Sequence, residues 1–259
     1  MGIAGAAALL AAGLAMGLGA LGSGFGLGLA AISAIRAVER QPAKRTILFR
    51  NMLVGQAVTE TPAIFALMVA LLLYFSLERA LDAPWSPARA AAFLGAGLCI
   101  GVGALGSGFG SGLIAHDALD GMSANPSSQG SVLLLMLIGQ AWAQTGCIFA
   151  LVVSLFLVSG GAPSAPAGAE DLRLWSLIPL AGGEMAGAAR NLGSSLAMGL
   201  GAVGSSLGIA FAGGRACRSL AAAPAAGARI RAVYFIGSAT AQSPSVFSLI
   251  VALILLLGA

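Results

Sequence analysis

One stretch, Gly17-Leu-Gly-Ala-Leu-Gly-Ser-Gly-Phe-Gly26, returns 84 residues later as Gly101-Val-Gly-Ala-Leu-Gly-Ser-Gly-Phe-Gly110. A further 98 residues on, it returns with changes as Gly199-Leu-Gly-Ala-Val-Gly-Ser-Ser-Leu-Gly208. The same spacings carry Pro42 onto Pro126 and Pro224. Similarity at fixed spacings marks a repeated structural unit. The chain therefore predicts three copies of one unit, each a helical hairpin.

The composition places these hairpins in a membrane. Of the 259 residues, 58% are hydrophobic and only 8% are charged, whereas charged residues make up about a quarter of a soluble domain. Spanning a bilayer takes roughly 20 apolar residues. Six runs are long enough, near 3–35, 47–77, 88–115, 129–158, 187–213 and 230–258. The predicted fold is an all-α membrane protein with six transmembrane helices in three tandem antiparallel hairpins.

The repeats divide the chain as follows. Hairpin 1 covers residues 1–80 and carries Glu60, hairpin 2 covers 81–160, a linker covers 161–186, and hairpin 3 covers 187–259. The linker is rich in Gly, Ala and Pro, and its later part is compatible with a short segment at the membrane surface. The first apolar run is far longer than the core of a signal peptide, which predicts a retained helix.

Basic residues predict the orientation. Nine Lys and Arg residues lie in or beside the connections within hairpins 1 and 3, and four lie on the other side. The positive-inside rule then places the hairpin loops in the cytoplasm and both termini on the opposite side. The net charge of +4 follows from this topology and gives no sign of nucleic-acid binding. The three cysteines have no metal-ligand spacing, so they predict no metal site.

Glu60 is the one charged side chain well inside any of the six runs. Its counterparts in the other repeats are Gln144 and Gln242, which cannot ionise. A carboxyl group at this depth is costly and usually functional. The sequence therefore predicts one ionisable site for every three hairpins.

Alternate glycines predict a ring of helices. On a helix, positions two residues apart point in nearly opposite directions, while positions four apart form a stripe along the axis. Each of the first two repeats thus has two small-residue stripes on opposite sides, and small residues allow close approach of membrane helices. A helix with a close neighbour on each side is typical of a closed ring. The ring-packing residues are Gly22, Gly24, Gly26, Gly28, Gly106, Gly108, Gly110 and Gly112.

These motifs together resemble the c subunit, or proteolipid, of rotary ATP synthases and ATPases. The resemblance is carried by the alternate glycines, the loop Arg40-Gln41-Pro42, and Gly55-Gln-Ala-Val-Thr-Glu-Thr-Pro-Ala-Ile-Phe65 on the second helix. The loop is closer to the F-type family than to the vacuolar type. The resemblance covers each hairpin nearly end to end, so the chain looks like three fused c subunits.

The resemblance implies that Glu60 carries the transported ion past a static channel subunit that holds an Arg. Lipid favours the neutral form of a carboxyl group and a nearby cation favours the charged form. Thr61 is the matching hydroxyl, and Ser111 is a further candidate ligand. The positions of other sodium ligands in the family hold Leu27, Pro62 and Phe65. The oxygen count therefore favours H⁺, with Na⁺ as the alternative.

Gln144 and Gln242 imply fewer ions for each turn of the ring and hence for each ATP. We expect this ratio to favour ATP-driven pumping over synthesis, unless complete c subunits of another kind share the ring. The resemblance also implies that Arg40, Gln41 and Pro42 contact the central stalk. The expected partners are membrane lipid, other copies of the chain, the channel subunit and the stalk subunits.

The sequence contains no Gly-Lys-Ser/Thr phosphate loop, so ATP chemistry would belong to partner subunits and we expect no catalytic residue or cofactor here. Two interpretations from other classes stay open. A stand-alone six-helix proton channel or secondary transporter would be active without partners. A lipid-embedded scaffold would tolerate loss of Glu60. The expected location is the plasma membrane of a bacterium or archaeon.

Overall fold

The computed structural model describes residues 3–76, 86–160 and 183–257. Within these ranges the regular structure is helical, with no strand. Hairpin 1 contains α1 (Ile3–Arg40) and α2 (Arg45–Phe75). Hairpin 2 contains α3 (Pro87–Ala124), α4 (Gln129–Ala143) and α5 (Thr145–Val158). Hairpin 3 contains α6 (Glu184–Ala222) and α7 (Gly227–Leu257).

Six stretches of the described chain are long and apolar enough to cross a membrane, which confirms the predicted fold class. The fourth is formed by α4 and α5 together, interrupted at Gln144. The first helix of each hairpin has 38 or 39 residues, or about 57 Å at 1.5 Å per residue. This exceeds a hydrocarbon core of about 30 Å, so each hairpin extends beyond the bilayer core.

The turn between the helices has the same form in all three hairpins. A short 3₁₀ helix begins with the repeated proline in each case, at Pro42–Lys44, Pro126–Ser128 and Pro224–Ala226. Proline suits the first position of such a turn because its fixed φ is compatible with the turn and no N–H is needed there. The three turns therefore end the first helices at equivalent points.

The helices form an arc of two layers. The first helices lie side by side in the order α1, α3, α6 and form the inner layer. The second helices form the outer layer: α2 packs between α1 and α3, and α4 with α5 packs between α3 and α6. The last helix, α7, packs mainly on α6. As the central member of the inner layer, α3 is the most extensively buried helix.

Helix ends differ from the apolar runs that predicted them. The helix α1 continues through Arg36 to Arg40, and α3 continues nine residues beyond the predicted end of its run. One of these charged residues, Arg40 at the end of α1, is paired with Asp120 of α3. The predicted linker falls largely on residues 161–182, outside the described part of the chain, and α6 begins at Glu184.

Candidate ion-binding site

The glycine stripes of α3 both face a neighbouring helix. On one side, Gly108 and Gly112 lie against α1, where an added Cβ would overlap the backbone of Ser23 or Gly26. On the other side, Gly106 and Gly110 lie against α6, next to Val203 and Ser206. A Cβ at Gly106, Gly108 or Gly112 would overlap a neighbouring backbone, so glycine is required at these three positions, whereas a Cβ at Gly110 would lie 3.1 Å from the Ser206 carbonyl oxygen.

At the two edges of the arc, the matching stripes are wholly uncovered on α1 and partly uncovered on α6 by the described residues. On α1, a Cβ built at Gly24 or Gly28 meets no described atom within 4 Å, whereas Gly22 and Gly26 face α3. On α6, a Cβ at Gly204 likewise meets nothing. Among the described residues, Gly24 and Gly28 of α1 and Gly204 of α6 are therefore uncovered, while Gly208 of α6 lies against Ala241 of α7.

A polar cluster lies where hairpins 1 and 2 meet, between their outer helices. The Gln140 side-chain amide on α4 donates to the carbonyl of Gly55 at 2.9 Å and to the Thr59 hydroxyl at 3.1 Å, both on α2. The same nitrogen lies 3.1 Å from the Ser111 carbonyl oxygen on α3, so its two N–H groups are shared among three acceptors. Gln140 and Thr59 are fully buried. The amide group thus ties three helices together.

Gln144 makes the next contact along this junction. Its side-chain amide donates to the carbonyl of Val58 at 2.6 Å, and the side chain is 7% exposed. That carbonyl is free because Pro62, four residues further on in α2, has no N–H to donate to it. The proline therefore supplies the acceptor that Gln144 uses. This combination of Gln144, Val58 and Pro62 is not apparent from the repeats alone.

Gln242 occupies the equivalent place between hairpins 2 and 3, with a different outcome. It is 8% exposed, and both polar atoms of its side chain are buried without a hydrogen bond. The carbonyl that would match Val58 belongs to Trp142, and hairpin 2 has Gly146 where hairpin 1 has Pro62. Gly146 has a backbone N–H, so the Trp142 carbonyl does not lack a helical donor as the Val58 carbonyl does. The structure thus pairs a glutamine with a proline-freed carbonyl at only one of these two junctions.

Glu60 lies near the middle of its span, on the outer surface of α2. Unlike Gln144 and Gln242, it is exposed. Among the described residues, no hydrogen bond or ion pair reaches its carboxyl group. One turn earlier, Gln56 donates to the Leu27 carbonyl of α1 at 3.1 Å. The carboxyl group therefore lies at the outer surface with no partner in the described part of the chain.

The other candidate ligands are not hydrogen-bonded to Glu60 in the described structure. Thr61 is half-buried on α2. The Ser111 side chain is fully buried, and its hydroxyl has no partner. Leu27 and Phe65 are both partly buried and offer no side-chain oxygen. No group of three or more metal-ligating side chains occurs in the described ranges.

The three loop residues Arg40, Gln41 and Pro42 lie at the turn of hairpin 1. Arg40 makes an ion pair of 3.2 Å with Asp120 of hairpin 2, and the Gln41 side-chain amide donates to the carbonyl of Ser123. Pro42 opens the turn and is exposed. The loop is therefore held by hairpin 2 while still presenting residues to solvent.

A second charged cluster at the same end was missed by sequence reasoning. Arg218 at the end of α6 forms a 2.6 Å ion pair with Asp117 of α3 and a 3.7 Å ion pair with Asp120. His116 contacts Asp117 at 2.9 Å. The only sequence signal is opposite charge near the ends of two inner helices. With Arg40, these ion pairs link the turn ends of all three hairpins.

Comparison with known proteins agrees with this arrangement of three like hairpins. The family model for the C subunit of ATP synthase matches three times, at residues 10–73, 94–157 and 192–255. The chain therefore belongs to the ATP synthase C-subunit family. Each match spans most of both helices of one hairpin, and together they cover well over half of the chain.

Individual relatives include single-hairpin and longer proteins. The ATP synthase c subunit of Dehalococcoides mccartyi is 48% identical over 67 residues, which are 26% of this chain and 88% of that protein. The ATP synthase c subunit of Alkaliphilus oremlandii is 48% identical over 71 residues, which are 27% of this chain and 80% of the relative. The K subunit of the A-type ATP synthase of Methanocaldococcus jannaschii is 33% identical over 150 residues, 58% of this chain and 64% of the relative.

These findings confirm the resemblance inferred from the motifs. The chain is an integral membrane protein of the c-subunit family of rotary ATP synthases and ATPases. Membership implies assembly into a ring of copies within an ATP synthase complex. The free stripes at the two edges of the arc are compatible with such a ring.

Proposed function

We propose that this chain builds a rotor ring that carries H⁺ across the membrane, with Glu60 as the ion-carrying group. The main support is the placement of Glu60, which lies in the middle of a membrane span, on the outer layer, exposed and without a partner among the described residues. A group there can meet both lipid and a static subunit as the ring turns. It is the position that a proton carrier needs.

The choice of H⁺ rests on the scarcity of oxygen ligands. Sodium requires several oxygen donors around the carboxylate, and the candidate positions Leu27, Pro62 and Phe65 provide no side-chain oxygen. A proton needs only the carboxyl group itself and one acceptor for its hydrogen bond. Na⁺ remains the alternative ion and would require Thr61 or Ser111 to act as a ligand.

The proposed direction is ATP-driven pumping. One carboxyl group for each chain of three hairpins means few ions per turn, and each charge costs about 2.3 kcal/mol for every 100 mV of opposing potential. Fewer ions per ATP therefore leave more free energy for each ion. This supports pumping against a steep gradient.

The partners follow from the same proposal. An Arg of the static subunit would favour ionised Glu60 as it passes. Arg40, Gln41 and Pro42 would contact the central stalk, because they form the turn of hairpin 1 at the end of the helices where all three turns lie. The hairpin loops would face the cytoplasm of a bacterium or archaeon.

The test is the Glu60→Gln substitution in the complete ATPase complex. We expect ATP-driven acidification of inverted membrane vesicles to be abolished, because an amide cannot bind and release a proton. A hydrophobic carbodiimide should label Glu60 in the parent protein and inhibit pumping. Acidification that survives the substitution would contradict the proposal, and protection of Glu60 from labelling by Na⁺ would assign sodium instead.

Conservative changes at the two equivalent positions give the control. Gln144→Asn and Gln242→Asn keep an amide and leave Glu60 untouched. We expect vesicles with either change to retain acidification, provided that the complex assembles. Activity of purified chain in vesicles without partner subunits would favour the stand-alone channel or transporter.

A further inference from the structure

We propose that each junction between two copies of this chain contains a binding site for a phosphate group, formed by Arg215 of one copy and Arg36 of the next. The inference rests on the part of the proposed function in which adjacent copies build the ring, and it is independent of the ion that Glu60 carries. It assigns a ligand to the turn end of the inner helices, where none has been assigned above.

The charge at the turn ends differs among the three hairpins. Residues 33–50 of hairpin 1 include five Lys or Arg and one Glu. The equivalent residues 117–134 of hairpin 2 include two Asp and no Lys or Arg, and residues 215–232 of hairpin 3 include four Arg and no acidic residue. Opposite charges therefore meet at the two junctions within a chain. Like charges meet where hairpin 3 of one copy precedes hairpin 1 of the next.

Contacts within the chain show which side chains meet across a junction at this level. Arg218 of α6 lies 2.6 Å from Asp117 of α3, across the junction between hairpins 2 and 3. Ser33 occupies the repeat position of Asp117 in hairpin 1, and its hydroxyl donates to the His116 carbonyl of α3 at 2.7 Å. The repeat position of Ser33 and Asp117 therefore contacts the next hairpin at both junctions.

The junction between copies has an arginine at both positions of this ion pair. Arg215 is the hairpin 3 equivalent of Asp117, and Arg36 is the hairpin 1 equivalent of Arg218. Both arginines are exposed, and no ion pair reaches either of them among the described residues. If copies join with the geometry of the existing junctions, two guanidinium groups meet where the chain elsewhere forms an ion pair.

The acidic residues of the chain do not neutralise this arginine pair. Asp117 and Asp120 already form ion pairs within the chain. Glu39 is exposed one turn after Arg36 in α1 and balances one arginine at most. The pair therefore keeps an excess positive charge. Two adjacent guanidinium groups suit a phosphate group, because each can donate two parallel hydrogen bonds to its oxygens.

The surroundings of the arginine pair also fit a lipid. Arg36 directly follows the first apolar run, and Arg215 lies two residues beyond the fifth. Ile32 and Phe211 precede the two arginines by four residues, so each lies on the same helix face one turn nearer the membrane centre. Both side chains are exposed. Basic pockets between membrane helices at this level bind anionic headgroups, and the two apolar side chains would then contact the acyl chains.

Lipid retention by the assembled ring tests the site. The ring purified in mild detergent and supplied with phosphatidylglycerol should retain this lipid in native mass spectrometry, in an amount equal to the number of chains. Arg215→Asp recreates the Asp–Arg pair found between α3 and α6, so the ring should assemble while its affinity for the lipid falls roughly tenfold or more. Arg36→Asp gives the same pair with the charges exchanged and should have the same effect.

Arg50→Asp is the matched control. It changes the net charge by the same amount, but Arg50 is exposed on α2, in the outer layer. The control ring should retain the lipid as the parent does. An equal loss of lipid in Arg50→Asp would show attraction to overall charge without a site and would overturn the inference.

Inorganic phosphate distinguishes the two sources of the ligand. Radiolabelled phosphate is dialysed to equilibrium against the parent ring and the two site variants. Lipid retention that depends on Arg215 and Arg36 assigns a phospholipid, whereas dependence of phosphate binding alone assigns the free anion, and either result supports the site. If neither probe distinguishes the parent from the two variants, the inference is wrong.

Dissociation of the ring gives a second measurement. The probe that binds should raise the temperature at which the parent ring separates into single chains, because it neutralises two like charges. Arg215→Asp should raise this temperature without the probe and remove its effect. A ring that is weakened or not formed in both site variants would show that the two arginines do not meet, which would overturn the inference.

These results can be separated from the test of proton transport. Glu60→Gln leaves the arginine pair untouched. If acidification survived Glu60→Gln while the site variants lost the probe, the proposed ion carrier would fail and the phosphate site would stand. If acidification were abolished while binding was the same in every variant, the phosphate site would fail and the ion carrier would stand.

Discussion

The filled junction between hairpins 1 and 2 and the uncovered edge of hairpin 1 are built from equivalent residues but differ in burial. In the filled junction, Gln140 and Gln144 are buried and bonded to α2. At the edge, Gln56 and Glu60 are partly buried and exposed, respectively. Gln140 and Gln144 are buried because hairpin 1 packs against them, whereas no described hairpin packs against Gln56 and Glu60. The exposure of Glu60 in one chain is therefore a property of its place at the edge.

The largest expected effect distinguishes a glycine in the filled junction from one at the edge. Gly112→Leu would force side-chain atoms into the backbone of Gly26, so we expect loss of roughly 3 kcal/mol or more of folding stability. At Gly28 an added Cβ meets no described atom within 4 Å, so we expect the single chain carrying Gly28→Leu to fold while the oligomer dissociates. Membrane yield and size-exclusion chromatography in mild detergent measure both results. Equal yields of the two variants as intact oligomers would refute this prediction.

A smaller effect is expected at the two equivalent glutamines. Gln140→Leu removes hydrogen bonds to two carbonyls and a hydroxyl, for a loss of about 2 kcal/mol. Gln56→Leu removes one bond, to Leu27, for a loss of about 1 kcal/mol. Denaturant unfolding of the detergent-solubilised chain compares the two. A larger loss of stability for Gln56→Leu than for Gln140→Leu would show that the edge, and not the filled junction, holds the hairpins together.

The smallest expected effect on folding and assembly is that of Gln144→Glu, which should double the number of reactive carboxyl groups in each chain. Gln144→Glu places a carboxyl group opposite the freed Val58 carbonyl, where its protonated form can replace the amide as donor. Mass spectrometry after labelling with a hydrophobic carbodiimide should find two adducts per chain in place of one. A single adduct in a correctly assembled ring would show that the filled junction does not reproduce the environment of Glu60.

Much of the fold was predictable because its signals are local. Six spans follow from apolar length, and the repeats follow from the glycine and proline spacing. On α3 both small-residue stripes lie against a neighbouring helix, whereas the packing role of Gly24 and Gly28 on α1 stays a prediction. Where two helix backbones are in contact, there is room for little besides glycine, so the glycine pattern in the sequence indicates these contacts directly.

The site was less predictable because its contacts depend on the register between helices. The 84-residue spacing places Gln140 at the position of Gln56, but it does not indicate that the Gln140 amide reaches Gly55, Thr59 and Ser111. The sequence also marked Pro62 only as a lost ligand. Its effect on the Val58 carbonyl becomes visible once Gln144 is placed beside it. The role assigned to Thr61 and Ser111 stays a prediction.

The backbone contact between inner helices has a mechanical consequence. Where glycine faces glycine, as at Gly26 and Gly112, no flexible side chains lie between the helices to be compressed. Close-packed protein interiors have low compressibility. A ring of copies joined by such contacts should therefore twist little under torque.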